Sequence, residues 1–433
     1  MEKARPAAKP EPGGGLAGGV QTERSQQLAS APDAPSEPGT AALPPPQQLE
    51  NAPDIVKGVY LTSWSAGLKR RIDYVEKLAR EAGVNAVVID IKDYSGNLAY
   101  RIAVPEAQKY GAVHVKIRDI DAVIRRLHAA GVYTIARITV FQDPVLAAAR
   151  PELAVHRKSL IESGARLSKE TLWLDHKGLA WIDPSSRPTW EYIAAIGRDA
   201  LSHGFDELNF DYVRFPSDGN MRDMLFPVSG EKASKPAVLR EFFAYLRRSF
   251  EGTRISADLF GLATVNSDDL GIGQVIEDAY RNFDYVCPMV YPSHYAPGFR
   301  GFKNPAEHPY EVVRYSMDKA VARLRSLAAQ PAAADGQAHV QAGALKPPAG
   351  ESIRIGKLRP WLQDFDLGGR YDAPRVRAQI RATEEALGAD YAGYLMWSPS
   401  NVYTAGAFTE EAAQALPALP NPAFTVPAPV PSP

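Results

Sequence analysis

The hydrophobic pattern between about residues 54 and 416 alternates between a strand-like and a helix-like period. Runs such as "VNAVVIDIKD" are apolar almost throughout, which is typical of a strand buried on both faces. The segments between these runs carry apolar residues at helical spacing, such as Ile72, Val75 and Leu78 in "KRRIDYVEKLAREAG". The eight runs are "VKGVYLTSW", "VNAVVIDIKD", "VYTIARITVF", "ELNFDYVRFPSDG", "RISADLFG", "DYVCPMVYP", "IRIGKLRPWLQDF" and "YAGYLMWSP". Eight strand–helix units predict a (β/α)8 TIM barrel, with a long loop between the third strand and the helix that follows it.

An open, doubly wound sheet would show the same alternation of strands and helices. Such a sheet normally has a glycine-rich phosphate turn after its first strand, and "LTSWSAG" is not one. Gly271 and Gly273 in "GIGQVIEDAY" are not followed by a phosphate motif, and they indicate the entry to a helix. The closed barrel is therefore the predicted fold, and the open sheet is the alternative.

Three segments differ from this pattern because they are rich in Pro, Ala or Gly: residues 1–53, 328–351 and 417–433. Such segments cannot bury enough apolar surface to offset the entropy lost on ordering. We therefore predict a disordered tether, one barrel domain over residues 54–416 with a low-complexity insert, and a Pro-rich tail. Tethers of this kind are frequent in cell-envelope proteins and also occur in the cytosol. A periplasmic, secreted or envelope location is expected from composition alone.

The charge balance and the cysteine count narrow the possible partners. The formal net charge is −1, which favours neither nucleic acid nor a membrane surface as a partner. No apolar run approaches the ~18 residues of a membrane-spanning helix, and the N-terminus shows no apolar export signal. Cys287 is the single cysteine, so an internal disulfide and a thiolate metal cluster are both excluded.

The stretch "ELNFDYVRFPSDG" places polar residues inside an otherwise apolar strand. Side chains alternate between the two faces of a strand, and in a barrel the apolar face meets the surrounding helices. Leu208, Phe210 and Tyr212 are therefore expected to point outward, and Asn209 and Asp211 to point into the lumen. The break at "FP" ends the strand, so Asp211 is predicted to lie at the carboxyl end, where active sites of this fold are found.

The next strand, "RISADLFG", repeats this arrangement with Asp258. Two carboxyl groups on neighbouring strand ends match what glycoside hydrolysis requires: one attacks or stabilises the anomeric carbon, and the other, kept protonated, donates to the leaving oxygen. Their mutual repulsion and partial burial would separate their pKa values. The alternative is structural, because a strand-end aspartate often caps a loop or pairs with an arginine, here Arg137 or Arg214.

Other strand ends add groups that suit a sugar. Trp64, Trp361 and Trp397 lie at or near strand ends, where each is either a stacking surface or barrel core. The long loop of residues 140–188 is too aromatic to be disordered and is expected to form a lid or wall beside Asp211. Its polar and aromatic candidates are Trp173, Asp175, Trp181 and Asp183, the last of which is better explained as a turn before the helix.

A metal site is not favoured by the sequence. The eight histidines are scattered and form no zinc motif. A hard cation held by Asp90, Asp93 and Asp211 is the alternative, and it would correspond to a metal-dependent polysaccharide hydrolase or deacetylase.

A set of ordered motifs carries a family resemblance over residues 54–416: "GVYLTSW", "VVIDIKD", "GLAWIDPSSRPTW", "GFDELNFDYVRFPSDG", "ADLFG", "VCPMVYPSHY", "RPWLQDF" and "GYLMWSPSNVY". Together they resemble a bacterial glycoside hydrolase-like domain, first catalogued as a domain of unknown function and distantly similar to the α-amylase-like barrels. The resemblance implies a TIM barrel, a carbohydrate substrate and export. It also implies a nucleophile at Asp211. The acid/base of the amylase-like barrels is usually a Glu after strand five, where this chain has the shorter Asp258.

These observations predict a glycosidase that cleaves a polysaccharide or oligosaccharide without a cofactor, with Asp211 as nucleophile or stabiliser and Asp258 as general acid/base. A separation of ~5 Å between the two carboxyl groups would imply retention at the anomeric carbon, and ~6.5–9.5 Å would imply inversion. A non-catalytic glycan-binding barrel is the second hypothesis. The residues expected to bind substrate are Asp90, Arg137, Asn209, Arg214, Tyr291, His294, Gln363, Trp397 and Trp181.

Overall fold

The computed structural model of the protein describes residues 44–230, 233–329 and 355–409. Its centre is a parallel barrel of eight strands, which we number β1–β8. The strands are β1 Val56–Leu61, β2 Ala86–Lys92, β3 Tyr133–Thr139, β4 Glu207–Asp211, β5 Arg254–Phe260, β6 Tyr285–Met289, β7 (Lys357–Leu358 and Trp361–Gln363) and β8 Gly393–Trp397.

The strands pair in chain order from β1 to β8, and the pairing of β8 with β1 closes the ring. Val59 of β1 lies opposite Met396 of β8, and Trp361 of β7 lies opposite Met289 of β6. An open sheet would leave two strand edges without partners, whereas this barrel has none. The predicted (β/α)8 fold is confirmed, and the doubly wound alternative is wrong.

Helices surround the barrel, and several begin at the capping residues that the sequence supplies. Asp119 accepts a hydrogen bond from the backbone amide of Ala122 at 2.8 Å, and Asp372 caps its helix in the same way. The helices are α1 Ser63–Ala66, α2 Lys69–Ala82, α3 Pro105–Lys109, α4 Ile120–Ala129, α5 Pro144–Ala149, α6 Lys158–Glu162, α7 Arg187–Ser202, α8 Lys235–Ser249, α9 Ile276–Tyr280, α10 Pro309–Ala328 and α11 Ala373–Leu387. Within the described ranges, no helix has the length and apolar character needed to span a bilayer.

The outward face of β4 packs as the alternation of side chains predicts, with one exception. Phe210 contacts Phe250 and Phe283, with ring centroids 5.9 and 6.5 Å apart, and it is fully buried between strand and helices. Tyr212 does not continue this face. It has a left-handed backbone with φ of 53°, so the strand ends at Asp211 and the prediction for Tyr212 is wrong.

The loop after β3 is ordered by contacts with the loop after β4. His156–Arg157 and Met224–Leu225 pair as a short antiparallel ribbon between the two loops. Asp183 accepts hydrogen bonds from the backbone amides of Val228 and Ser229 at 2.9 and 2.8 Å. It also accepts one from the amide of Ser185 at 3.0 Å, as the turn interpretation predicts. The two loops thus form one wall next to the carboxyl end of β4.

Most of the predicted tether, insert and tail lies outside the described residues. The chain already contacts the barrel before the boundary predicted at residue 53. The Gln48 side chain donates to the Phe205 carbonyl at 2.9 Å, and the Leu49 amide donates to Asp206 at 2.6 Å. Both acceptors precede β4, so this segment lies against the amino end of the barrel.

Candidate active site

The carboxyl ends of the strands form the mouth of the barrel, and Arg137 of β3 lies at its centre. The guanidinium contacts three carboxyl groups: Asp90 at 2.5 Å, Asp211, and Asp258 at 3.4 Å. All four side chains are at least nine-tenths buried. We call these four residues the Arg137 cluster. It brings the two predicted catalytic aspartates together with two of the residues predicted to bind substrate.

Asp211 occupies the last position of β4, where the strand stops abruptly. The amide of Tyr212 donates to Oδ1 of Asp211 at 2.5 Å, while the Arg137 guanidinium contacts Oδ2. Both oxygens therefore have fixed partners, which hold the carboxylate in one orientation at the mouth.

Asp258 of β5 lies deeper and is held from three directions. Its Oδ1 accepts hydrogen bonds from the Asn209 amide at 2.9 Å and the Trp361 indole at 2.7 Å, and its Oδ2 faces Arg137. Only 1% of the residue is exposed. Burial, together with the nearby charge of Asp211, raises the pKa of Asp258 to about 7. Asp258 therefore keeps its proton at pH values where an ordinary aspartate is charged.

Asp90 anchors the opposite side of the cluster through a residue that the sequence analysis missed. The hydroxyl of Tyr60 donates to Asp90, and the Tyr60 ring stacks on Trp397 with centroids 4.1 Å apart. Burial raises the pKa of Asp90. The Arg137 guanidinium lies 5.6 Å from the Tyr60 ring and 5.5 Å from the Trp397 ring, so two aromatic faces and three carboxyl groups position it.

The other predicted substrate-binding residues are divided between the mouth and the surrounding scaffold. Gln363 is fully buried, and both ends of its amide contact backbone: it accepts from Ser293 at 3.2 Å and donates to Phe365 at 2.9 Å. This contact joins two loops and leaves little of the amide for a sugar. Tyr291 is buried, and its ring meets the exposed ring of His294 edge to face at 5.3 Å.

Trp181 and Arg214 lie together on the wall next to Asp211. The Trp181 indole donates to Asp175 at 3.0 Å, and its ring is almost fully buried. The guanidinium of Arg214 lies 4.7 Å from the Trp181 ring centroid. Burial lowers the pKa of Arg214.

The three carboxylates considered from sequence as a cation site each contact a basic side chain instead. Asp93 pairs with Lys116 at 2.7 Å, while Asp90 and Asp211 contact Arg137. The neighbouring Lys92 pairs instead with Asp143. Within residues 44–230, 233–329 and 355–409, no group of three or more carboxylate, imidazole or thiol side chains is arranged to hold a metal ion.

The three strand-end tryptophans have different environments. Trp361 is buried in the barrel, and Trp397 is partly buried against Tyr60. Trp64, in α1 directly after β1, has 65% of its surface exposed. The Lys116 ammonium lies 5.3 Å from its ring centroid, and the exposed Tyr94 follows the next strand. The rim near β1 and β2 therefore presents aromatic surface to solvent.

Comparison with solved structures found several proteins that are similar to this chain. A hypothetical protein from Ruminiclostridium thermocellum is 34% identical over 46% of this chain and 96% of its own, with a TM-score of 0.41. The PgaB (BpsB) glycoside hydrolase domain from Bordetella bronchiseptica is 16% identical over 83% of this chain and 97% of its own, with a TM-score of 0.51. At that identity the likeness shows the shared fold.

An α-L-fucosidase from Paenibacillus thiaminolyticus is 13% identical to this chain. The match covers 83% of this chain and 49% of the fucosidase, with a TM-score of 0.48. No curated protein matches the chain. A family model described as "Putative glycosyl hydrolase domain" matches residues 58–403, which includes all eight barrel strands except the first two residues of β1. Because the match spans most of the sequence, this chain belongs to that glycosyl hydrolase family.

Proposed function

We propose that this protein is a glycosidase that cleaves a polysaccharide or oligosaccharide, with Asp211 as nucleophile or transition-state stabiliser and Asp258 as general acid/base. The observation that carries the proposal is the shared contact of both carboxyl groups with Arg137 at neighbouring strand ends. Family membership supports the reaction class. The Pro- and Ala-rich segments at both ends support a substrate of the cell envelope or its surroundings.

The two carboxyl groups differ in the way that glycoside hydrolysis requires. Asp211 forms an ion pair with Arg137 and accepts a hydrogen bond from the backbone amide of Tyr212, whereas Asp258 is buried and has a pKa of about 7. Asp258 can therefore protonate the glycosidic oxygen as the bond breaks. Asp211 then bonds to the anomeric carbon or stabilises the developing oxocarbenium ion. In the second step of a retaining reaction, Asp258 would take a proton from water.

The proposal is tested by incubating purified protein with a panel of bacterial and plant glycans and measuring new reducing ends. Release of reducing ends that persists in a chelator is the expected result. Binding without any product would instead favour a glycan-binding barrel. Activity that a chelator abolishes and a divalent cation restores would favour a metal-dependent hydrolase.

Asp258 gives the activity and the stability a shared dependence on pH. Above about pH 7 the acid loses its proton, so kcat/KM is expected to fall by about tenfold per pH unit. The folded pKa is raised, so the contribution of Asp258 to stability is fully present below the ordinary aspartate pKa and is lost as pH rises through about 7. Rate–pH profiles and urea denaturation check both effects. Asp258→Asn should remove this component of the denaturation profile, and a kcat/KM that stays level to pH 9 would contradict the assignment.

Trp64 is expected to stack on a sugar unit away from the bond that is cleaved. Its indole is exposed at the mouth rather than buried in the core. Trp64→Ala should raise KM for long oligosaccharides by about tenfold while kcat stays unchanged, because the lost contact is made equally in ground and transition states. Trp64→Tyr is the matched control and should retain most of the affinity. Equal KM values for the wild type and Trp64→Ala would exclude this role.

A further inference from the structure

Arg214 is a buried cation without a carboxylate partner, next to the proposed catalytic pair. Three arginines are buried in the described parts of the chain: Arg137, Arg214 and Arg359. Arg137 contacts three carboxyl groups and Arg359 contacts Glu207, whereas no described carboxylate lies within ion-pair distance of Arg214. Removing a guanidinium from water is unfavourable unless something compensates its charge. Asp211, Asp218 and Asp175 act on the charge of Arg214 only from beyond contact distance, so Arg214, unlike the other two buried arginines, has no direct carboxylate partner.

The surroundings of Arg214 fix its position and leave part of its hydrogen-bonding capacity unused. Nη1 donates to the Phe215 carbonyl at 3.2 Å and to the Ser217 hydroxyl at 3.1 Å. Nε and Nη2 have no hydrogen-bond partner among the described residues. Both atoms keep slight solvent access, although only 8% of the residue is exposed. A guanidinium with free N–H groups on one edge is suited to bind an oxyanion with two parallel hydrogen bonds.

Aromatic rings hold this guanidinium at the ends of the strands that carry the two aspartates. Its central carbon lies 4.7 Å from the ring centroids of Trp181 and Phe260 and 5.1 Å from that of Tyr212. Arg214 is three residues beyond Asp211, and Phe260 is the last residue of β5. The rings attract the cation through their faces but satisfy none of its N–H groups. The position is therefore preorganised for a ligand at the mouth.

We propose that Arg214 recognises the carboxylate of a uronic acid unit, so that the substrate is an acidic polysaccharide. This inference rests on the proposed glycosidase function and adds the substrate class to it. In a uronic acid the carboxylate is attached to C5, which is separated from the anomeric carbon by the ring oxygen alone. A sugar ring bound between Asp211 and Asp258 thus carries its carboxylate close to the reacting bond. The Arg137 guanidinium is already engaged by Asp90, Asp211 and Asp258, so Arg214 is the nearby buried cation with N–H groups left for that carboxylate.

The test compares glycans of glucuronic, galacturonic and mannuronic acid with their carboxyl-reduced counterparts, which keep the same linkages and lose only the charge. The wild type is expected to prefer an acidic glycan by about 10–100-fold in kcat/KM, the range of one charge-assisted hydrogen-bonded contact. Arg214→Gln should abolish this preference, mainly through KM. Arg214→Lys, which keeps the charge without the planar fork, should retain part of it. The exposed Arg222 on the same loop provides the matched control, since Arg222→Gln should leave the preference unchanged.

Binding measurements separate this inference from the proposed function. Tetrameric oligouronates and their reduced forms are titrated against the wild type and Arg214→Gln by calorimetry, which requires no turnover. If the wild type hydrolyses glycans but treats acidic and reduced substrates alike, the role of Arg214 is wrong and the glycosidase assignment stands. If no glycan is hydrolysed but oligouronates bind only when Arg214 is present, the glycosidase assignment fails and the recognition stands. Sulfated glycans are added to the same panel, and a preference for them without one for uronates would overturn the uronate assignment.

Discussion

Replacing Asp211 by asparagine is expected to lower kcat for glycan hydrolysis by at least ~10³-fold with little change in KM. Asparagine is nearly isosteric with aspartate and can still accept the hydrogen bond from the Tyr212 amide. It cannot attack the anomeric carbon, and it carries no charge to stabilise an oxocarbenium ion. The loss should therefore appear in the chemical step. Reducing-end assays with the best glycan from the panel measure it directly.

The same substitution should also change the pKa of Asp258, which the rate–pH profile reports. The charge of Asp211 helps to raise the pKa of Asp258, so Asp211→Asn should shift the alkaline limb of the residual activity to lower pH. A general loss of folding would not produce such a shift. If Asp211→Asn hydrolyses the glycan as fast as the wild type, Asp211 has no role in the mechanism.

The matched control is Asp364→Asn, which changes another buried aspartate at a strand end. Asp364 follows β7, and its carboxylate accepts hydrogen bonds from the amide and hydroxyl of Thr404, both at 2.7 Å. It lies outside the Arg137 cluster. Its substitution should cost some stability and change kcat by only a few-fold, which separates the effect of the cluster from that of losing any buried carboxylate.

The alternation of side chains explains why much of the site could be predicted. Once β4 and β5 are assigned to a barrel, the alternation of side chains along each strand places Asn209, Asp211 and Asp258 on the lumen side. The carboxyl-end position of the two aspartates then follows from where each apolar run stops. Both positions depend only on the local pattern and the chain direction, which a single sequence contains.

Other parts of the site depend on distances that no local pattern encodes. The Tyr60 hydroxyl reaches Asp90 on the next strand, and the barrel brings Arg359 to Glu207 across 152 positions of sequence. Long side chains such as Arg137 can reach several partners, so strand position alone does not choose among them. The outward position predicted for Tyr212 is wrong because its left-handed backbone interrupts the alternation of side chains, and nothing in "FDYVRFP" marks such a residue.

The second large effect is expected at a buried ion pair in the amino half of the barrel. Glu207 begins β4 and Arg359 interrupts β7; the two side chains form a salt bridge and are fully buried. Ser256 donates to the Glu207 carboxylate at 2.6 Å, and the guanidinium carbon lies 4.0 Å from the Tyr285 ring centroid. Nε and Nη1 of Arg359 have no hydrogen-bond partner among the described residues, so its charge depends on Glu207.

Glu207→Ala is expected to lower the free energy of unfolding by about 3–5 kcal/mol, because it leaves the Arg359 charge buried and unpaired. This is a large part of the ~5–15 kcal/mol that stabilises a typical domain. Urea denaturation followed by tryptophan fluorescence measures the change. The exposed pair of Lys77 and Glu81 on α2 is the control, and Glu81→Ala should cost under about 0.5 kcal/mol.

The double variant Glu207→Leu with Arg359→Met distinguishes a desolvated charge from a simple loss of packing. Replacing both partners of a buried ion pair by apolar side chains of similar size is often neutral or stabilising. We therefore expect the double variant to be more stable than Glu207→Ala and to recover most of the lost free energy. The double-mutant cycle consists of the wild type, Glu207→Leu, Arg359→Met and the double variant. Coupling between the two sites appears in it as a departure from additivity of the unfolding free energies. If the two single changes instead add in the double variant, the stability of this region comes from packing around Tyr285, and the ion pair contributes nothing of its own.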